Sequence, residues 1–356
     1  MQGGGIIGIV ELGGGWVQTD MDAFFAAALG PAPDLRPTIV DVPIDIANSP
    51  NQHADVDVES ALDIQVAAAA YTYCTGKPAS IRMYWCSSIA DAVRVAMTEC
   101  DVCSISWGSD ESFWNGADLQ DMEAAATEAT SHGMVVLAAS GDNSAQDGGN
   151  APANVDAPAS CPHVIGCGGT KKTAAVETVW NWNPGKTDGE GTGGGYSTVF
   201  PLQTFQAGVF GPGRMVPDIA ANADSNTGYQ IFVHGRPATV GGTSAVAPLY
   251  AGLFAALGKG LGFISPTLWK NQTAFNDIVQ GDNGYYRASV GPDPCTGIGS
   301  PIGSRIANLF APGLQMRSRT LALNTTLPGS APAGFRGVVS LEYENGIVTR
   351  VTTTPR

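Results

Sequence analysis

Six short apolar runs, each closed by glycine or polar residues, constrain the fold of this chain more than any other feature. They are GIIGIVEL (5–12), TIVDVPI (38–44), ASIRMYW (79–85), VCSISWG (102–108), MVVLAAS (134–140) and HVIGCGG (163–169). Runs of this length, bounded by turn residues, predict strands buried in a sheet. Helical patterns lie between them at about 20–30, 57–72, 87–99 and 117–132, the last stopping at His132-Gly133. Such alternation predicts an α/β fold with a mostly parallel central sheet and helices on both faces. Functional groups of these sheets gather beyond the carboxyl ends of the strands.

Composition narrows the partners. The 32 acidic residues outnumber the 18 Lys and Arg, for a net charge of −14. That balance argues against nucleic acid, because phosphate contacts need clustered cations. An acidic surface serves solubility, or suits acid, where protonated carboxylates leave few positive charges to repel one another. No apolar run reaches the roughly 18 residues of a membrane span. The opening MQGGGIIGIVELGGGW shows no basic, export-type leader. Seven cysteines (Cys74, Cys86, Cys100, Cys103, Cys161, Cys167, Cys295) form no repeated metal spacing, and one C-x-x-C at Cys100–Cys103 says little. Buried free thiols are expected.

Segments 141–160 and 183–197 are rich in Gly, Asn, Asp and Pro, and read as loops long enough to carry function. After Pro312-Gly313 the composition turns to Thr, Arg and Val. Residues 314–356 therefore read as an extension to a body of 1–313, with Asn345-Gly346 predicting a two-residue hairpin turn.

The stretch VGGTSAVAP (240–248) mounts Ser244 at the start of the apolar pattern LYAGLFAAL. It resembles the nucleophile setting of subtilisin-like proteases, where a helix N-terminus turns N–H groups toward developing negative charge. A serine nucleophile needs a base. The four histidines, His53, His132, His163 and His234, sit in polar loops, at a helix end or at a strand start, and none has the context of a catalytic histidine. Carboxylates are the remaining candidates. Glu59 and Asp63 fall four residues apart on a helix otherwise made of Leu62, Ile64, Val66 and alanines, so they stack on one face. Like charges on a buried helix share protons and separate in pKa, which suits acid–base chemistry. An unshifted Glu titrates near 4.3, so such a base works in acid. Asp142, in AASGDNS after a buried run, could then donate a hydrogen bond from its protonated form to an oxyanion.

Together these residues resemble the sedolisin family of serine-carboxyl peptidases. The likeness runs through nearly all of residues 6–310. It includes ELGGGW, ESALDI, SISWG, VLAASGD, VDAPAS, TGGGYS, VPDIAA, GGTSAVAPL and DPCTGIGSPIG, in that order. The resemblance implies a subtilisin-like fold and an acid-acting endopeptidase with Ser244 as nucleophile, Glu59 as base, Asp63 as its support and Asp142 at the oxyanion. It also implies that Glu11 and Trp114 form a relay behind the pair. Asp156 would favour Arg or Lys before the cleaved bond, and Ser106, Trp107 and Gly108 would pair with extended substrate as an edge strand. One structural calcium ion is implied at Asp277, Ile278, Ser289, Gly291 and Asp293, a set of hard oxygen donors.

The partners expected are protein or peptide substrates, with no nucleic acid, no membrane and a monomeric chain. The implied location is extracellular. The propeptide of that family and the first stretch of its usual catalytic domain have no counterpart here, so a processed or excised catalytic part is expected, or a chain that folds without a propeptide. Two other readings stay open: a tripeptidyl-peptidase of the same family, and a non-catalytic relative that binds peptides.

Overall fold

The computed structural model describes residues 1–29, 35–206 and 208–310, and the two strands Gly337–Glu344 and Ile347–Pro355. Each apolar run forms a strand: β1 (Ile6–Glu11), β2 (Thr38–Pro43), β3 (Ser80–Trp85), β4 (Val102–Ile105), β5 (Val135–Ala139) and β6 (Ile165–Lys172). Two strands follow that the apolar runs do not mark, β7 (Glu177–Val179) and β8 (Ile219–Asn222). The sheet order is β8-β6-β5-β4-β1-β3-β2, parallel throughout, with β7 added antiparallel to β6.

The helices α1 (Gln18–Leu29), α2 (Ala54–Thr75), α3 (Ile89–Ala96), α4 (Gly116–Ser131) and α5 (Val246–Leu257) occupy the expected stretches. Side chains alternate across the strands, as the two-residue pleat demands. Ile7, Ile9, Ile81, Met83, Val135 and Leu137 join a core with α1, α2 and α5. Val10, Tyr84, Val136 and Ala138 join a second core with α3 and α4. The sheet is therefore buried on both faces.

One strand departs from the expectation of burial. β2 lies at the sheet edge and is half-exposed to exposed along its length. Helix α2 also starts three residues earlier than the acidic signal suggests. Asp57 does not cap it; its Oδ2 instead accepts the Asn51 N–H at 2.7 Å, securing the preceding loop.

Helices α2 and α5 pack closely because their contact is built from small residues. A Cβ added at Gly252 would strike the Ala67 carbonyl oxygen and the Ala70 side chain. This approach brings the acidic face of α2 to the start of α5. All seven cysteines are unpaired, and all but Cys74 are buried. The chain divides into two compact units, Met1–Leu314 and Gln315–Arg356. In the second, Glu344 pairs with Ile347 in an antiparallel ladder. The boundary Pro312-Gly313 and the turn Asn345-Gly346 lie outside the described residues.

Candidate active site

Ser244 sits in a 3-10 turn, Thr243–Ala245, that runs straight into α5. It is 8% exposed and lines a cleft of about 260 Å³ beyond the ends of β4 and β5. Gly242 precedes the turn with φ +104°, and a Cβ there would come 2.6 Å from Asp142 Oδ2 and 3.7 Å from the Ser244 nitrogen. The doubled glycine of the motif thus leaves a small space, between a carboxyl oxygen and a backbone N–H, that a side chain would fill.

Asp142 leaves the end of β5 and is fixed by its neighbour in the nucleophile turn. The Thr243 N–H and hydroxyl both donate to Asp142 Oδ1 at 2.7 Å. Its own carbonyl accepts the Gly191 N–H at 3.0 Å, so the two glycine-rich loops brace each other behind it. Burial lifts its pKa above the ordinary aspartate value, opposed by the Thr243 hydrogen bonds. Only Oδ2 remains to face the space over Gly242.

Glu59 and Asp63 come from α2. Burial pushes Glu59 up to about 7; hydrogen bonding with Ser244 pulls it down, and the charge of Asp142 pushes it up again. Asp63 is fully buried, with the Ser106 hydroxyl donating to Oδ1 at 2.9 Å. Burial, then the charges of Glu59 and Glu11, hold Asp63 well above the carboxylate range. Glu11 ends β1 and is likewise buried; its pKa is raised by burial and by Glu59, against hydrogen bonds from Trp107 and Ser60. Glu11 Oε1, Glu59 Oε1 and Asp63 Oδ2 are buried and, among the described residues, meet no N–H or O–H donor. Three buried carboxyls with an unpartnered oxygen each are compatible with burial when they hold protons among themselves.

The indole behind this cluster is that of Trp107, not Trp114. Trp107 Nε1 donates to Glu11 Oε2 at 3.0 Å, whereas Trp114 Nε1 donates to Ser109 Oγ at 3.0 Å. Trp107 follows β4, which pairs with β1, and this adjacency puts it beside Glu11. Trp114 stands a turn further on, as the C-cap of the 3-10 segment Glu111–Phe113. Ser106 also turns inward, to Asp63, while its hydroxyl stands 3.2 Å from the Ser244 carbonyl. The β4 ladder itself is internal to the sheet and stops at Ile105, leaving the backbone of 106–108 beyond it at the cleft.

Among the described residues, no histidine lines the cleft. His132 caps α4, His163 pairs with Glu123, His53 caps α2 and His234 Nε2 stands 3.0 Å from Asp57. Asp156 does line it, together with two aspartates that sequence reasoning missed, Asp110 and Asp147. Thr243, the holder of Asp142, was also missed, although it adjoins Ser244 in the quoted motif.

The residues named for calcium flank one loop. Asp277 Oδ2 accepts the Gly291 N–H at 2.9 Å, and Asp293 Oδ2 accepts the Ser289 N–H at 3.2 Å. Asp293 is buried, and burial pushes it up to about 6 against hydrogen bonds from Cys295, Ser289 and Thr296. Both Asp293 oxygens thus already accept from N–H or O–H donors of the chain, while the donor set named is all oxygen, the kind a hard cation takes. Among the described residues, no three His, Cys, Asp or Glu side chains converge as a metal-binding group, so backbone carbonyls would have to complete it.

A sheet of this order with a serine at the head of a buried helix defines a class, and comparison with known proteins agrees. The chain belongs to the Subtilase family, whose pattern matches residues 64–273. Within that class the likeness is to the sedolisins. Kumamolisin of Bacillus sp. (strain MN-32) is 40% identical over 345 residues, covering 87% of this chain. A tripeptidyl-peptidase of Arthroderma otae is 33% identical over 199 residues, 43% of this chain and 29% of its own length. The chain spans only 60% of the length of kumamolisin. Among solved structures, a Pseudomonas sedolisin, a serine-carboxyl proteinase complexed with two molecules of pseudo-iodotyrostatin, superposes with a TM-score of 0.75. It is 26% identical, and the match covers 85% of this chain and 91% of that one.

Proposed function

We propose that this chain is an acid-acting serine-carboxyl endopeptidase. The observation that carries the reading is the pairing of Ser244 with a raised-pKa Glu59, backed by Asp63 and Glu11, in a cleft that no histidine among the described residues lines. Glu59 takes the hydroxyl proton as Ser244 Oγ attacks the peptide carbonyl carbon. Charge on the carbonyl oxygen is met by the Ser244 N–H and by protonated Asp142 through Oδ2. Glu59 then returns the proton to the leaving amine, and water repeats the sequence on the acyl-enzyme. Asp63 and Glu11 spread the charge of the cluster, while Ser106 and Trp107 hold them in place. The backbone of 106–108 aligns extended substrate, and Asp156 favours a basic residue before the cleaved bond (P1).

The catalytic body is residues 1–313, acting as a monomer outside the cell, with 314–356 as an extension. Among the described residues no helix is long and apolar enough to cross a membrane. Hydrolysis of an internally quenched peptide with an acetylated N-terminus and Arg at P1, scanned from about pH 2.5 to 8, tests the reading. Cleavage peaking in acid and lost in Ser244→Ala supports it. Activity highest at neutral pH and kept in Glu59→Gln would reject a carboxylate base. Cleavage of only unblocked peptides, releasing tripeptides, would mark a tripeptidyl-peptidase, and a folded chain without hydrolysis a peptide-binding relative.

A calcium ion belongs to the same proposal. The Asp277 and Asp293 carboxylates would hold it with the carbonyls of Ile278, Ser289 and Gly291, and it would tie that loop to the body without entering the chemistry. Chelation is then expected to lower Tm by several degrees, roughly 5 °C, with recovery on adding Ca²⁺ but not Mg²⁺. An unchanged melting curve would reject the ion.

A further inference from the structure

Two further strands, β9 (Tyr229–Val233) and β10 (Arg236–Val240), pair as an antiparallel hairpin. Ser244 follows the end of β10 by four positions. The two-residue turn of the hairpin, His234-Gly235, has φ of +52° and +71°, the left-handed pair that a tight hairpin turn requires. Glycine adopts that conformation freely, whereas a residue with a side chain does so less readily. Two helices hold His234 there. Asp20 of α1 takes both turn amides, Oδ2 accepting the His234 N–H at 2.8 Å and Oδ1 the Gly235 N–H at 3.0 Å. Asp57 of α2 takes the imidazole, with Nε2 3.0 Å from Oδ2. The same oxygen accepts the Asn51 N–H, so Asp57 is the acceptor and Nε2–H the donor.

Further along the hairpin, Gln65 repeats the grip. Its Nε2 donates to the Phe232 carbonyl at 2.7 Å, and its Oε1 accepts the Phe232 N–H at 2.9 Å. Asp57, Ala61 and Gln65 follow one another at intervals of four on α2 and so share one face. Glu59 lies two residues from Asp57, about 200° around the helix, where it hydrogen-bonds Ser244. Helix α2 is thus gripped from behind by the hairpin and met in front by the residues that follow it.

Asp57 is 2% exposed, and a buried carboxylate is costly without a partner. Among the described residues, His234 is the only basic side chain lining the small cavity beside it. That cavity, about 10 Å³, has room for one water at most. The imidazole, rather than a bound ligand, is therefore the partner this carboxylate is built for.

We propose that Asp57 and His234 are positioning residues for the peptidase. Their contact locks the hairpin leading into Ser244 to the back of the helix that carries Glu59, and so fixes the approach of base to nucleophile. The inference rests on the reading of Glu59 as base given above. Neither side chain lines the cleft, so both act through geometry alone. A misplacement of about 1 Å between reacting groups costs on the order of a hundredfold in rate.

His234→Asn and His234→Gln separate this role from plain stability. Asn-Gly is the favoured sequence for such a turn, but the Asn amide is too short to stand where Nε2 does. The Gln amide N–H₂ can reach Asp57 Oδ2 in its place. His234→Asn is expected to keep its fold and lower kcat about ten- to a hundredfold with KM little changed, and His234→Gln to recover most of that loss. In a Glu59→Gln background no base is left to misplace, so His234→Asn is expected to cost nothing further. Unchanged kcat in His234→Asn would overturn the proposal. So would equal losses in the Asn and Gln variants, or a loss that persists undiminished in Glu59→Gln.

Hydrogen exchange reads the same contact without hydrolysis. The amides of residues 240–244 are expected to exchange faster in His234→Asn than in His234→Gln or the unsubstituted chain. Equal rates in all three would remove the clamp. Faster exchange in a chain that hydrolyses no peptide would sink the peptidase reading and leave the clamp between hairpin and helix standing.

Discussion

Glu59→Gln is expected to lower kcat by on the order of 10³-fold or more, close to the loss in Ser244→Ala, with little change in KM. The amide keeps the size of the side chain and can still hydrogen-bond the Ser244 hydroxyl. It cannot take the proton. Stability is expected to move the other way or not at all, because the substitution removes one of three mutually repelling buried acids: burial raises Glu11, Glu59 and Asp63 alike, and the charge of Glu59 raises both of its neighbours. A purely structural Glu59 would lose Tm together with rate. The decisive comparison is therefore kcat against the melting curve of the same preparation. A variant retaining more than about a tenth of the activity would remove Glu59 from the role of base.

The second large effect concerns the oxyanion. Asp142→Ala is expected to reduce kcat by about 10²–10³-fold, the loss found when one preorganised donor is removed. Asp142→Asn should behave differently. Its amide oxygen can accept from the Thr243 N–H and hydroxyl as Oδ1 does, which turns the amide N–H₂ into the place of Oδ2. The donor then no longer depends on a proton.

In the unsubstituted chain, Glu59 must be ionised while Asp142 is protonated. The rate is thus expected to follow a bell whose limbs are set by the raised pKa of Asp142 and by that of Glu59, near 7. Below the bell Glu59 holds its proton and cannot act as base. Above it Asp142 is ionised and repels the oxyanion. In Asp142→Asn the alkaline limb is expected to flatten. The acid limb should stay in place, since Asp142 is already uncharged where Glu59 gains its proton. A kcat–pH profile for the two variants checks both limbs, and an Asn variant with an unchanged alkaline limb would separate Asp142 from the oxyanion.

Much of the fold was legible because buried parallel strands write themselves as apolar runs. β2 misled for the same reason: TIVDVPI is apolar enough for a core strand, but only the sheet order shows it at an edge. The acidic pair was legible because four-residue spacing on a helix rich in Leu, Ile and Ala has one geometric meaning. The identity of the indole was not. Trp107 and Trp114 are both near the end of β4, and choosing between them requires that β1 and β4 be neighbours, a long-range fact that local spacing does not encode. Asp110 and Asp147 were hidden differently. Each reads locally as a turn or cap residue, and Asp110 does cap the Ser112 N–H at 2.7 Å; only folding brings them to Asp156.

The buried carboxyls of α2 and β1, with those that line the cleft, have a consequence for the molecule as a whole. Unfolded, they would titrate near 4. Folded, Glu11, Glu59, Asp63, Asp147 and Asp156 all hold their protons to higher pH, Glu59 to about 7. Folding in weak acid therefore draws protons out of solution. Because these folded values lie above the unfolded ones, their contribution is whole below pH 4 or so and drains away as pH climbs through the folded values. Buffering capacity is thus woven into the native state. A medium drifting toward neutrality withdraws catalysis and cohesion over the same span, so the molecule's working life is timed by the acidity around it.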